Sequence, residues 1–516
     1  MRVYKSATLV LCLLVGLIAS GCASLPPRPE LPGQLALPAG TSTKLDGVIA
    51  PAMAAHPGQS GFRLVPSGVE AFALRALSAR AAGRSLDVQY YIWHDDLTGK
   101  LLAKELVDAA GRGVRVRLLL DDMDARAKNF ALAGLDAHPN IEVRLFNPFG
   151  SRQGGAGKVA ELSTGFSRLN HRMHNKAWIA DNRIAIAGGR NVGDEYFAAG
   201  EGVNFIDLDF AMVGPAVEQM SASFDQYWNS AAVWPMATLS PELANQASLD
   251  SLRAHAEALA TEAAASPWIQ ALAGSDAVQQ IQAGKLQFHW TSNWRVLSDD
   301  PLKALGADDP IARSAVLRGF TEVLGQARRS IVLISPYFVP GERGSAGLIE
   351  AVKRGPKVSI LTNSLAANDV AAVHGGYSKY RDRLIDGGIS LWELKPDPNQ
   401  SGKSSMAGSS GASLHSKSAI IDDETSFVGS FNLDPRSVAL NCEQGVFVTD
   451  PEVSAELAAM FARVTAGDVS WRVDHDAKGK LRWTDGKRTL YEEPDASLSR
   501  RFQAKLFRWL PFESQL

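Results

Sequence analysis

Residues 174–181 read His-Asn-Lys-Ala-Trp-Ile-Ala-Asp, and residues 415–422 read His-Ser-Lys-Ser-Ala-Ile-Ile-Asp. Each stretch sets an imidazole two residues before an ammonium and seven before a carboxylate. Residues i and i+2 of a strand share a face, so His174 and Lys176 are expected side by side, as are His415 and Lys417. Two such pairs suit displacement at an anionic centre. One imidazole attacks, the other protonates the leaving oxygen, and the lysines neutralise the remaining oxygens. A single His-x-Lys on a strand is commonplace, but here the agreement continues past the motif. Asn191 and Asn432 each stand 17 residues after their histidine, and Gly189 and Ser430 each stand 15 after it. These four are candidates for holding the substrate's oxygens. The chemistry requires no metal, and no cofactor is expected.

A nucleophilic imidazole must present one particular nitrogen, so its other nitrogen should meet a carboxylate. Glu443 lies 28 residues after His415 and Asp207 lies 33 after His174. The unequal spacing leaves Asp209 as the alternative to Asp207. Asp181 and Asp422 complete the two motifs and are counted with the site. They lie past the strand ends, where they are expected to brace the fold rather than touch substrate.

The elements that position these residues are duplicated. A helical pattern from about Ser67 to Ala82 leads into an apolar strand from Leu86 to Trp93, then a helix over Gly99 to Gly111 and a strand over Val114 to Leu120. The second half repeats this order with a helix over Ala315 to Arg328, a strand from Ile331, a helix ending near Lys353 and a strand over Lys357 to Thr362. Arg112-Gly113 matches Arg354-Gly355 at a shift of 242, and His174 matches His415 at a shift of 241. Register kept this closely argues for two copies of one fold. Each motif reads as a hairpin, with Asp181-Asn182 or Asp422-Asp423 at its turn. The expected class is α/β: two duplicated domains, each a mainly parallel sheet flanked by helices, with one site at their pseudo-two-fold interface. The boundaries are a signal at 1–21, a tether at 22–60, domains at 61–230 and 285–470, a helical connector at 231–284, and a tail at 471–516. Loops rich in Gly and Ser, Phe149 to Gly157 and Asn399 to Ser413, precede the motifs and should form the rim of the site.

The 516 residues are 46% hydrophobic, enough for two cores, and the formal charge of -2 gives no basic excess for gripping nucleic acid. Arg2 and Lys5 precede a short apolar run, as in a secretory signal. Cys442 is left without a partner once Cys12 and Cys22 are assigned to the leader and its end, so it is expected to be a small packed residue. In Ser497 to Leu510 the apolar Leu498, Phe502, Leu506, Trp509 and Leu510 share one helical face and Arg500, Arg501, Lys505 and Arg508 the other, a pattern of helices that lie in a membrane interface.

The paired motifs and asparagines resemble those of the phospholipase D superfamily, over about residues 60 to 470. The stretches LDVQYYIW, RLFNPF, RMHNK, GGRN, LTNSLAANDVA and SGASLHSK are most similar to bacterial cardiolipin synthases. The resemblance implies phospholipid substrates, namely phosphatidylglycerol, with phosphatidylethanolamine as an alternative donor. It also implies a phosphatidyl-histidine intermediate on His174, with His415 as the acid, and Glu443 as the orienting carboxylate. Phospholipid hydrolysis and, further off, a periplasmic nuclease use the same residues and stay open, as does a non-catalytic lipoprotein. Ile18-Ala19-Ser20-Gly21-Cys22 resembles a bacterial lipobox, which implies acylation of Cys22 and a lipid-anchored, periplasm-facing protein. Ala23 in place of Asp points to the outer membrane.

Overall fold

The structure is a computed structural model that describes residues 25–125, 128–150, 161, 166–306, 309–396, 413–509 and 513–515. The leader, Cys22 and most of the two loops expected at the rim lie outside these residues.

The strands fall into two sets. The first half supplies β1 (Ser60–Val65), β2 (Ser85–Tyr90), β3 (Arg115–Asp121), β4 (Ile141–Phe146), β5 (Ala177–Ala180), β6 (Ile184–Gly188), β7 (Phe205–Ile206), β8 (Asp209–Val213) and β9 (Val233–Pro235), joined by β10 (His289–Thr291). The second supplies β11 (Trp294–Ser298), β12 (Ser330–Ile334), β13 (Lys357–Asn363), β14 (Ser390–Leu394), β15 (Ser413–Leu414), β16 (Ser418–Ile421), β17 (Thr425–Gly429), β18 (Gln444–Thr449), β19 (Ser470–His475), β20 (Leu481–Thr484) and β21 (Thr489–Leu490). One sheet has the order β10-β1-β8-β6-β5-β2-β3-β4-β9, the other β11-β18-β17-β16-β12-β13-β14-β19-β20-β21. From β1 to β4 and from β11 to β14 the two orders correspond strand for strand. The duplication read from the motif spacing is therefore carried by the topology.

The expected mainly parallel sheet needs correction. Within these two sheets only β2, β3 and β4, and their equivalents β12, β13 and β14, run parallel. The remaining neighbours are antiparallel, because each motif hairpin enters the sheet beside β2 or β12 and brings β8 or β18 with it. A helix-strand alternation fixes only the three parallel strands, whereas a tight turn can join only antiparallel ones.

Helix starts follow local chemistry. Ser67, Asp96, Ser314 and Asp450 each accept a backbone N–H from the first turn of the helices Gly68–Ala81, Leu97–Gly111, Ala315–Gln326 and Pro451–Val464. Helices Pro215–Trp228 and Pro451–Val464 lie between the sheets, the first against β11 of the other half and the second against β1. Their buried Phe224, Trp228, Val453 and Leu457 belong to one core that also takes Phe62 and Ala187 from the first sheet and Val296 and Val446 from the second. The two halves thus share a core.

Residues 25–60 do more than tether. Arg28 donates to the Ser230 and Val233 carbonyls, and Asn229 and Asp225 accept from Gln34 and Ala36. A helix, Lys44–Ala55, follows, capped by Thr43, and its Asp46 pairs with Arg84 and Arg183. At the other end β19, β20 and β21 extend the second sheet beyond residue 470.

Candidate active site

The motif turns show why Asp and Asn stand there. Asp181, Asn182, Asp422 and Asp423 all have φ between 53° and 60°, and Arg183 and Glu424 donate back to Ala180 and Ile421. Two successive left-handed residues make the primed turn that matches strand twist, and short polar side chains tolerate it best after glycine. Asp181 accepts from the backbone N–H groups of Gly83, Arg84 and Ser85, and Asp422 from those of Arg328, Arg329 and Ser330. Each motif aspartate therefore pins its hairpin to the start of β2 or β12. Grouping Asp181 and Asp422 with the catalytic residues is corrected: they stand at the turn ends of the hairpins, while the histidines precede the other ends.

His174-Lys176 and His415-Lys417 lie just ahead of β5 and β16, not within a strand. Their backbone is claimed by the opposite half. His174 N–H donates to the Cys442 carbonyl at 2.8 Å, and the N–H groups of His415 and Ser416 donate to Ile206 at 2.9 and 3.0 Å. Met173 and Cys442 form a parallel bridge, as do β15 and β7. The two-fold relation is therefore stitched by main chain on both sides of the site. Cys442 is buried, and burial pushes its thiol up to about 12, so it packs rather than reacts.

Each imidazole takes its carboxylate from the other half. His174 Nδ1 meets Glu443 Oε2 at 3.0 Å, and His415 Nδ1 meets Asp207 Oδ2 at 2.6 Å. With Nδ1 so bound, Nε2 is the nitrogen each ring presents. The choice between Asp207 and Asp209 follows from register. Gly188 pairs with Asp209 and Gly429 with Gly445, so Asp207 and Glu443 both stand two residues before equivalent partners. The five extra residues of the first spacing lie in the connection that includes β7. Asp209 is committed elsewhere, to Arg75 at 2.9 Å.

Gly189 and Ser430, expected near substrate, serve these carboxylates instead. A Cβ at Gly189 would stand 2.1 Å from Asp207 Oδ1, so only glycine leaves room. Ser430 Oγ donates to Glu443 Oε2 at 2.5 Å, and its carbonyl lies 3.0 Å from His174 Nδ1. Both asparagines are buried. Asn191 Oδ1 accepts from Ile92 N–H and its amide donates to the Tyr196 hydroxyl, whereas Asn432 Oδ1 has no partner among the described residues.

The lysine ammoniums fold back on their own motifs: Lys176 Nζ donates to the His174 carbonyl at 2.5 Å, and Lys417 to that of His415. Burial lowers both, Lys417 to about 8 and Lys176 well below its ordinary range. Burial is also the main reason His174 falls to about 4 and His415 to about 3, with the lysine charges adding to it. Both rings are therefore neutral at pH 7. Burial opposes charge on Asp207 and Glu443, yet the facing histidine holds each carboxyl below its usual range, Asp207 at about 2.

Three rings that the motif reading did not single out complete the walls. Tyr91 stands edge-on to His174 at 5.1 Å, Tyr196 edge-on to His415 at 5.2 Å, and Phe205 stacks on His415 at 5.2 Å. The signal available for Tyr91 was its place at the end of an apolar strand leading to the site. Tyr196 and Phe205 fall in the extra connection and carry no periodic signature. Among the described residues two clusters hold metal-ligating groups, His94-Asp96-Glu195 and His374-Glu393-Glu493. Their carboxylates are used within the protein, Asp96 by a helix cap and Glu393 and Glu493 by Arg381.

A duplicated mixed sheet with a His-Lys pair from each half at one interface defines a phospholipase D-like enzyme, and comparisons with known proteins agree. Residues 77–228 and 320–465 match the family model described as "Cardiolipin synthase, PLD-like domain", and the chain belongs to that family. It is 40% identical over 481 residues to cardiolipin synthase C of Escherichia coli K12, covering 91% of this chain and 99% of that one. Cardiolipin synthase B of the same organism is 25% identical over 400 residues, covering 77% and 78%. Among solved structures, phosphatidylserine synthase of Haemophilus influenzae Rd KW20 shares the fold with a TM-score of 0.58 at 13% identity, over 87% of this chain and 92% of that one.

Proposed function

We propose that the protein is a phosphatidyltransferase that makes cardiolipin from phosphatidylglycerol at the interface between its halves. The reciprocal pairs His174–Glu443 and His415–Asp207 carry the reading, because each leaves an oriented neutral imidazole at the interface between the halves, where each ring also feels the lysine of the other half. His174 Nε2 attacks the phosphorus of one phosphatidylglycerol as the bond to its glycerol oxygen breaks. His415, which takes up a proton on Nε2 as the phosphodiester anion binds, delivers it to that oxygen, and glycerol leaves. The phosphatidyl-histidine is then attacked by the headgroup hydroxyl of a second phosphatidylglycerol, whose proton passes to His415, and cardiolipin departs with His174 restored. With phosphatidylethanolamine as donor the leaving group is ethanolamine. Lys176 and Lys417 neutralise the nonbridging oxygens, and the side-chain amide N–H groups of Asn191 and Asn432 donate to them.

Lipid substrates call for contact with a bilayer. Among the described residues no helix is long and apolar enough to cross one. The helix Leu498–Trp509 leaves Leu498, Phe502, Leu506 and Trp509 exposed in a row. That row, with acylation at Cys22, holds the enzyme to the outer membrane facing the periplasm. Incubation of purified protein with phosphatidylglycerol vesicles, with and without phosphatidylethanolamine, should yield cardiolipin by mass spectrometry. Phosphatidic acid without cardiolipin would replace transfer with hydrolysis. Radiolabelled palmitate should enter the wild type and not Cys22→Ser.

A further inference from the structure

A cavity of about 310 Å³ opens beside the site, between helices Leu97–Gly111, Asn129–Asp136 and Gln246–Ala263 and the strand β3. Its walls are apolar, built from Val107, Leu118, Leu120, Leu132, Leu135 and Leu252. Tyr91 lines one end, and the same ring stands against His174. Asp121, also at that end, accepts the backbone N–H of Met173, the residue before His174. The cavity is thus separated from His174 by the single ring of Tyr91, and it leads away beneath the helix expected only to connect the halves.

The charged groups on its wall are already spoken for. Lys128 donates to the Trp93 carbonyl and to Asp124, which also accepts from Trp93 N–H. Lys104 pairs with Asp108 and Glu257, and Lys100 with Asp95. Trp93 Nε1–H donates to the Gly99 carbonyl. What remains for a ligand is hydrocarbon surface. Water is held poorly where it finds no polar partners, and an empty space of this size among packed side chains is destabilising, so the walls fit an apolar occupant. A volume at the lower end of ligand pockets suits one flexible chain rather than a fused-ring body.

We infer that this cavity takes one fatty-acyl chain of the phospholipid whose phosphodiester lies between His174 and His415. The inference rests on the phospholipid reading, and it adds where the donor's tail goes and that chain length is read there. The chain would place its glycerol end at Tyr91 and its methyl end toward Phe130 and Leu252.

Two measurements test it. Ala103 and Ala131 line the cavity without filling it, so Ala103→Trp and Ala131→Trp should each occupy the space. The ratio of turnover on dioleoyl to dihexanoyl phosphatidylglycerol should fall about tenfold in both, a discrimination ordinary for apolar pockets. An unchanged ratio in variants that melt like the wild type would overturn the inference. Independently of turnover, His174→Ala protein should be photolabelled by phosphatidylglycerol carrying a diazirine near the acyl terminus, on peptides from residues 97–111, 129–136 or 246–263. Labels confined to the terminal helix or spread over the surface would also overturn it. Should the wild type make no cardiolipin while the label still maps to these helices, the transfer reading fails and the chain site stands.

Discussion

At the scale of single residues, the site is a balance between burial and charge. Burial strips the proton from both histidines, and each opposing carboxylate restores direction to the ring without making it cationic. A phosphodiester anion entering between them favours the imidazolium form, so substrate binding should take up a proton, chiefly on His415, whose folded pKa of about 3 must rise for it to act as acid. Calorimetry of binding to His174→Ala in buffers of differing ionisation enthalpy should show that uptake near pH 7. Heats independent of the buffer would contradict it. Glu443→Gln keeps a hydrogen-bonding partner for His174 but removes the charge that steadies it, and cardiolipin formation should fall by about 100-fold or more. On the alkaline side Lys417, lowered to about 8, deprotonates above that pH in the free enzyme, so kcat/KM should fall up to about tenfold per pH unit there. Lys417→Arg should be slower overall yet lack that limb, because guanidinium stays charged.

At the scale of elements, the hairpin divides labour between its ends. Its turn aspartate pins the backbone, and its approach segment sets the His-Lys pair at the interface between the halves. Asp181 is buried and satisfies three backbone N–H groups, while Asp422 makes the same bonds at a more open position. Asp181→Asn should therefore cost about 2 kcal/mol of stability, read from denaturant midpoints, and more than Asp422→Asn. Equal losses, or activity lost before stability, would return these aspartates to the reaction. The hairpins, their turns and the duplicated helix-strand order were legible in the sequence because each rests on local periodicity and turn chemistry. The antiparallel majority of each sheet was not, since it depends on which strands a hairpin lands beside. Asp207 was recoverable only in part: counting from His174 misleads across a lengthened connection, while counting back two residues from the β8 partner of Gly188 gives Asp207 just as counting back two from the β18 partner of Gly429 gives Glu443. Tyr196 and Phe205 were invisible because they reach His415 through tertiary folding alone.

At the scale of the molecule, reciprocity makes the halves inseparable, and the carboxy-terminal helix ties their cleft to a surface. The helix Leu498–Trp509 packs on the helix Ala371–Ser378, where Gly375 lets Ala504 and Phe507 approach closely. Arg500 donates to the Asn368 carbonyl, and neighbouring Asp369 holds Tyr337 and acts on the charge of Lys417. Beyond the helix, Glu513 meets Lys379 and Tyr380, and Gln515 accepts from Asn170, close ahead of His174. The segment thus touches both halves near the site, while its apolar row, with Phe502 68% and Trp509 81% exposed, is left uncovered by the described residues. Beside the row Lys505 and Arg508 complement anionic headgroups, so the row should enter the interface of a phosphatidylglycerol bilayer and bring the cleft to its substrate. Phe502→Glu combined with Trp509→Glu should weaken co-sedimentation of protein lacking residues 1–22 with such vesicles by about tenfold or more, since two inserted rings become two repelled charges. Turnover of lipid dispersed in detergent should fall far less, because the substitutions lie outside the cleft. Loss of both together would mean that the helix supports the fold of the site rather than its approach to the membrane, and vesicle binding that survives the double substitution would move the docking surface elsewhere on the molecule.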